Sequence, residues 1–261
     1  YPRMIDYAGF RSICDEVGAY FWVDCAHDIG LIAGGAIPSP VPYADVVTFS
    51  TQKTLRGPRG CGVILCKEAL GKKIDRVVFP RIQGGPKGDM LAARGVLFLE
   101  LMQPEFRTYA HQVVKNAKAL AKGCADEGMR LITGGTDTHM VMLDVTPVIA
   151  NGQLAETLLA SVGIITNKNM IPYDTLPPSL GSGLRIGSPT MTTRGAKEEE
   201  MYEIGRLLGK VLKNKDNEEV LEQVKQEVRQ LAVSHPMFSS EWMPEKIRAQ
   251  FDAMYCHETF E

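Results

Sequence analysis

The sequence has no apolar run approaching the roughly 20 residues that span a bilayer. Its first residues, YPRMIDYAGF, combine neither a basic start nor an apolar stretch, so no secretory leader is expected there. No excess of one charge exists: 29 Lys and Arg stand against 31 Asp and Glu, for a formal net charge of −2. That balance argues against nucleic acid or an anionic membrane as a partner. There is no Cys-x-x-Cys pair. Six cysteines (Cys14, Cys25, Cys61, Cys66, Cys124 and Cys256) are scattered, most of them inside apolar runs. This spacing excludes a disulfide frame and a zinc site, and predicts reduced, buried thiols in a cytoplasmic protein with no metal. Internal repeats and low-complexity tracts are also missing. What is present is ordinary for a globular chain: 261 residues, 44% hydrophobic and 23% charged, enough for a large core.

The apolar pattern predicts an α/β fold. Residues 6–17 read as a helix with Phe10, Ile13, Cys14 and Val17 on one face, stopped by Gly18. Three apolar runs follow, 19–24, 45–50 and 61–66. Runs of this kind suit strands buried on both faces of a parallel or mixed sheet. Ligands collect at the carboxyl ends of such strands, so the loops after Val23 and Ser50 are where chemistry is expected. A helix is predicted over 87–102, with Leu91, Gly95, Phe98 and Met102 at helical spacing, and a longer one from Pro104 to Glu127, ended by Gly128. Beyond it the pattern changes to strands at 129–133, 139–145, 163–166 and 183–187 and helices at 153–161, 197–212 and 216–233. The expected division is therefore part of a large domain over 1–110, a small α+β domain over 111–233, and an extension over 234–261. That extension is rich in Met, Phe and Trp, apolar enough to dock on another surface.

Several residues converge on one chemistry. Asp24 and His27 stand in VDCAH at a strand end, Lys53 stands in STQKT directly after another strand, and Arg185 stands in SGLRIG of the smaller unit. A pyridoxal-phosphate site needs a lysine amine for the cofactor aldehyde and an acid beside the pyridine nitrogen. A flat imidazole can stack on the ring, and a guanidinium offers the two-pronged donor that fits a substrate carboxylate. Each residue also has a plain reading. Asp24 could cap a turn, His27 could be a hydrogen-bonded loop histidine, Lys53 a solvated lysine, Arg185 an ion-pair partner, and Gly84 with Gly85 a simple turn. Their combination, not any single member, points to the cofactor.

The stretch VDCAHDIGLIAGGAIPSPVPYADVVTFSTQKTLRGPRGCGVIL resembles the active-site segment of serine hydroxymethyltransferases. FPRIQGGP, TGGTDTHMVMLDV, ITNKNMIPYD and SGLRIGSPTMTTRG follow in the family's order, and the resemblance covers nearly all of 1–231. It implies a fold-type-I aminotransferase-like architecture assembled as dimers, with pyridoxal 5'-phosphate as cofactor. By motif position Lys53 resembles the Schiff-base lysine, Asp24 the acid at the pyridine nitrogen, His27 the stacking histidine and Arg185 the arginine for the substrate carboxylate. Ser50 and Thr51 match hydroxyl residues leading to the lysine. Gly84 and Gly85 match a pair that reaches the phosphate bound by the neighbouring subunit, Arg59 an arginine near the active site, and Asn169 a residue near the folate pocket.

The sequence also departs from the family pattern. Gln52 replaces the histidine before the lysine, Arg81 replaces a glycine in FPRIQGGP, and KGDMLAARG lacks an expected histidine-containing loop. Tetrahydrofolate is therefore carried as a candidate co-substrate against which these changes argue. Tyr1 lines up with the middle of the family's large domain, and the resemblance implies that the remaining site residues come from elsewhere. Either the chain is a fragment or another polypeptide supplies the rest, and the expectation is a split enzyme in which a partner subunit supplies the N-terminal half. The activity expected is aldol-type transfer on a small amino acid, by glycine/serine-type hydroxymethyl transfer or a specialised relative. Its alternatives are a threonine-type aldolase or transaldolase without folate, and a non-catalytic partner subunit that kept the fold.

Overall fold

The computed structural model describes residues 1–237, 245 and 247–249. Helix α1 (Tyr7–Val17) begins where the Asp6 side chain accepts the Gly9 N–H, and ends at Gly18, whose φ of 67° is left-handed. Next come β1 (Trp22–Asp24), the short α2 (Ile29–Ala33), β2 (Val46–Ser50) and β3 (Gly62–Cys66). In this first sheet β1 pairs parallel with β2, and β2 antiparallel with β3. Helix α3 (Glu68–Arg76) runs into a kinked segment, Val77–Ile82, where Phe79 leaves the helical region ahead of Pro80. Helices α4 (Gly88–Leu101) and α5 (Pro104–Asp126) follow, the second opened by proline at its first position.

The remaining strands are β4 (Arg130–Leu131), β5 (Met140–Asp144), β6 (Asn167–Asn169) and β7 (Gly183–Gly187). They form an all-antiparallel sheet in the order β4-β5-β7-β6. Helix α6 (Gly152–Ser161) lies between β5 and β6, and α7 (Pro189–Thr193), α8 (Glu198–Lys213) and α9 (Glu218–Ser234) follow β7. Among the described residues, no helix is long and apolar enough to cross a membrane.

Apolar side chains gather in two cores. The first holds Phe21, Leu31, Val47, Leu55, Leu97, Phe106 and Val113. The second holds Leu120, Val141, Leu143, Leu184, Met201, Leu208 and Leu212. Helix α5 serves both, its first half packing in one core and its second half in the other. At the crossing of α5 with α8 the two backbones nearly touch: a β-carbon on Gly123 would sit 2.1 Å from the Tyr202 carbonyl, and one on Gly205 would sit 2.4 Å from that of Leu120. Only glycine allows this approach.

Several expectations need correction. The strands of the first sheet are not buried on both faces. Trp22, Ile64 and Leu65 are exposed, and Phe10, Ile13 and Val17 on the apolar face of α1 are exposed as well. On α4 only Leu97 is buried, while Leu91, Phe98 and Met102 are exposed. Helical spacing identifies an apolar face, but not what covers it. The strand expected at 163–166 lies instead at Asn167–Asn169, and Ile165 is exposed. An edge strand pairs through its backbone, so its side chains can be polar and give no apolar signal. Of the cysteines, Cys25, Cys61 and Cys124 are buried as expected, but Cys66 is exposed; Cys256 lies outside the described residues. Of the apolar tail, Met237 and Ile247 are described and exposed, and the remaining Met, Phe and Trp residues lie outside the described residues.

Candidate active site

Parallel pairing of β1 with β2 brings their carboxyl ends side by side, with Asp24 opposite Thr48 and Ser50 two residues further along β2. Asp24 is exposed, and one of its carboxylate oxygens accepts the Ala26 N–H at 2.9 Å, which shapes the turn into His27. Lys53 is half-buried in the turn that follows β2. That turn is closed by the Arg56 N–H, which donates to the Lys53 carbonyl at 2.9 Å, and by the Gly57 N–H, which donates to the Thr51 carbonyl at 2.8 Å. Thr51 is fully buried and donates its hydroxyl to the Pro58 carbonyl at 2.6 Å. Ser50 differs: its hydroxyl oxygen is buried with no hydrogen-bond partner among the described residues.

One threonine ties the two strand-end loops together. Thr54, 1% exposed, donates its hydroxyl to the His27 carbonyl at 2.6 Å and accepts the Gly30 N–H at 2.9 Å. The approach is so close that a β-carbon on Gly30 would lie 2.2 Å from the Thr54 carbonyl oxygen. Arg56 anchors the far side of the lysine turn. It adopts a left-handed φ of 62°, unusual for a residue with a side chain, and its guanidinium lies 4.1 Å from the centre of the Tyr109 ring on α5.

Arg185 reaches the site from the second sheet. It is central on β7, opposite Met142 of β5 and Asn167 of β6. The loop before it is ordered by Asp174, which accepts the backbone N–H groups of Ile171, Leu176 and Ser182 and the Ser182 hydroxyl. The Ser182 hydroxyl, first among these causes, holds the Asp174 carboxyl well below the usual range. His27 is where the two units meet electrostatically. Burial foremost, then the charges of Lys53, His139 and Arg185, push its imidazole down to about 4, with Asp28 opposing. The ring is thus neutral over the physiological range.

Four of the sequence-predicted residues, Asp24, His27, Lys53 and Arg185, therefore belong to one region, with Ser50 and Thr51 beneath the lysine turn. The others stand apart. Arg59 is exposed beyond that turn, and Gly84 with Gly85 lies on an exposed loop, with no atom of the described residues within 4 Å of a β-carbon on either. Asn169 ends β6 and donates its side-chain amide to the Met170 carbonyl at 2.6 Å. Sequence reasoning missed Thr54, Asp28 and His139. His139 stacks on His27 with ring centres 5.7 Å apart and planes 10° from parallel. Only its place in TGGTDTHM, at the head of a predicted strand, could have drawn attention to it.

The turn after β2, the loop after β1 and the middle of β7 thus bring an amine, a neutral imidazole and a guanidinium into one region. Comparison with known proteins is specific. The family model for serine hydroxymethyltransferase matches residues 1–208. A serine hydroxymethyltransferase of Coprothermobacter proteolyticus is 52% identical over 238 residues, covering 91% of this chain and 57% of that relative. The chain belongs to the serine hydroxymethyltransferase family. It spans little more than half the length of the curated relative it matches.

Proposed function

We propose that this chain carries the cofactor-anchoring part of a pyridoxal-phosphate enzyme that transfers hydroxymethyl groups between serine- and glycine-type amino acids. The observation that carries the reading is the convergence of Lys53, Arg185 and a neutral His27, tied through Thr54. The residues suit the group: amine, carboxylate and flat imidazole lie at the end of the first sheet, the guanidinium comes from the second, and the Ser50 hydroxyl is buried without a partner among the described residues. When bound, the cofactor supplies an electron sink for negative charge at the substrate Cα. Lys53 supplies the amine that anchors its aldehyde. Asp24, with one carboxylate oxygen holding the turn, offers the other to the pyridine nitrogen. His27 would offer an uncharged, flat ring beside the cofactor. Arg185 would hold the substrate carboxylate in a bidentate fork and so orient the amino acid. Gly84 and Gly85, with open space around them among the described residues, present backbone N–H groups to a phosphate of an adjacent subunit.

The same reading assigns 1–110 to a large domain, 111–233 to a small one and 234–261 to an extension; two cores sharing α5 support the first boundary. It places Arg59 and Asn169 beside the substrate, the protein in the cytoplasm, and the working unit as a dimer or higher oligomer. The exposed apolar faces of α1 and the first sheet support a further polypeptide packed there, on a partner chain in the split-enzyme reading. Tetrahydrofolate is the co-substrate in the hydroxymethyl reading and is absent from the aldolase alternative. Activity on serine should therefore rise on titration with tetrahydrofolate. An aldol cleavage rate that ignores folate would transfer the assignment to a threonine-type aldolase.

A further inference from the structure

His139 has no part in the roles above, yet its placement is highly constrained. It is 7% exposed and immediately precedes β5. Its carbonyl accepts the Ser188 N–H at 3.1 Å, and the Ser188 hydroxyl in turn donates to the Val113 carbonyl of α5 at 2.7 Å. The second unit thus fixes the His139 backbone, while its ring crosses to the first unit and lies nearly parallel to His27. Its Nδ1 is buried without a hydrogen-bond partner among the described residues, although Asp28 Oδ1 is 3.4 Å away at the head of α2. A ring nitrogen left bare inside a protein is costly, and a small rotation of Asp28 would satisfy it.

We propose that His139 is a positioning residue for His27: it backs that imidazole from the second unit and, held through Asp28, fixes the plane His27 offers to the active site. One face of His27 is then occupied by His139. The position of the second sheet, and hence of Arg185, becomes coupled to the tilt of His27. This inference rests on the proposed role of His27, but its test does not require the cofactor.

The test is an NMR titration of the His27 ring in the full chain, in wild type, His139→Phe and Asp28→Asn. The charges bearing on His27 are those of Lys53 from the lysine turn, Arg185 from β7, His139 from the head of β5 and Asp28 from the head of α2. His139→Phe keeps a flat ring but removes a charge that lowers the His27 pKa; Asp28→Asn removes a charge that raises it. The expected result is opposite shifts: at fixed pH the protonated fraction of His27 rises in H139F and falls in D28N. Simple loosening of the site would expose the ring and raise the fraction in both. Shifts of the same sign, or none, overturn the proposal. Should H139F not fold, D28N still decides, because loosening and loss of Asp28 act in opposite directions. Equal uptake of pyridoxal phosphate by wild type and Lys53→Ala would defeat the functional reading and leave the His27 result standing.

Discussion

Replacing Gly30 with alanine would place a β-carbon 2.2 Å from the Thr54 carbonyl oxygen, 2.3 Å from its carbon and 2.8 Å from the Leu55 nitrogen. All three atoms are backbone, so no side chain can swing aside. Restoring an ordinary contact of roughly 3.5 Å requires the lysine turn to move about 1 Å from α2. Overpacking of this kind costs about 1–3 kcal/mol. The move also stretches the buried bond from the Gly30 N–H to Thr54, and an unmade buried bond adds about 1–3 kcal/mol. G30A should thus lose roughly 2–6 kcal/mol of stability. Displacement of a reacting group by about 1 Å costs on the order of 100-fold in rate. The assay is denaturant unfolding beside pyridoxal-phosphate titration and turnover. Gly71→Ala on α3, where no described neighbouring atom lies within 4 Å, serves as the control. It should gain roughly 0.5–1 kcal/mol by the ordinary glycine-to-alanine effect in a helix. A G30A protein that matches wild type in unfolding and cofactor affinity would refute this, since the Gly30–Thr54 contact would then not set the position of Lys53.

Other expectations follow from the same geometry. Arg185→Lys keeps the charge but loses the planar fork, so binding of the amino acid should weaken roughly 10–100-fold, read as the dissociation constant for glycine or serine. Asp45 takes hydrogen bonds from Lys67, the Phe21 N–H and Arg11, which hold its carboxyl well below the usual range. A depressed acid stabilises the fold above its unfolded value, near 4, and that gain is lost as pH falls through the folded value. Melting curves of Asp45→Asn should therefore lie furthest below wild type near neutral pH and converge with it in acid. His27 has the opposite chemistry. An unfolded chain protonates it near 6.5 and the folded one only near 4, so stability should fall as pH drops through that window. His27→Asn should lack that component of the decline.

The strand-end pair Asp24 and His27, the lysine at 53 and the arginine at 185 were legible in the sequence because each sits at the end or middle of an apolar run whose role is set by local pattern. The helix stops were legible too: Gly18 and Gly128 take the positive φ that their residue type permits. Thr54 and His139 were not, because their partners are made by tertiary contact. Thr54 meets His27 across 27 residues, and His139 is delivered by a different sheet. Short α2, with five residues, is below the length at which periodicity can speak. The exposed faces of α1 and α4 mark the remaining limit: an apolar stripe says that something covers it, and the covering layer is not written in the stripe.

The central claim is that Lys53 anchors the cofactor. The direct measurement is to incubate the full chain with one equivalent of pyridoxal phosphate, reduce with borohydride, and map the modified peptide by mass spectrometry, beside Lys53→Ala. The expected result is a single modification on Lys53 and an unlabelled variant. Labelling spread over surface lysines, unchanged by the substitution, would contradict it.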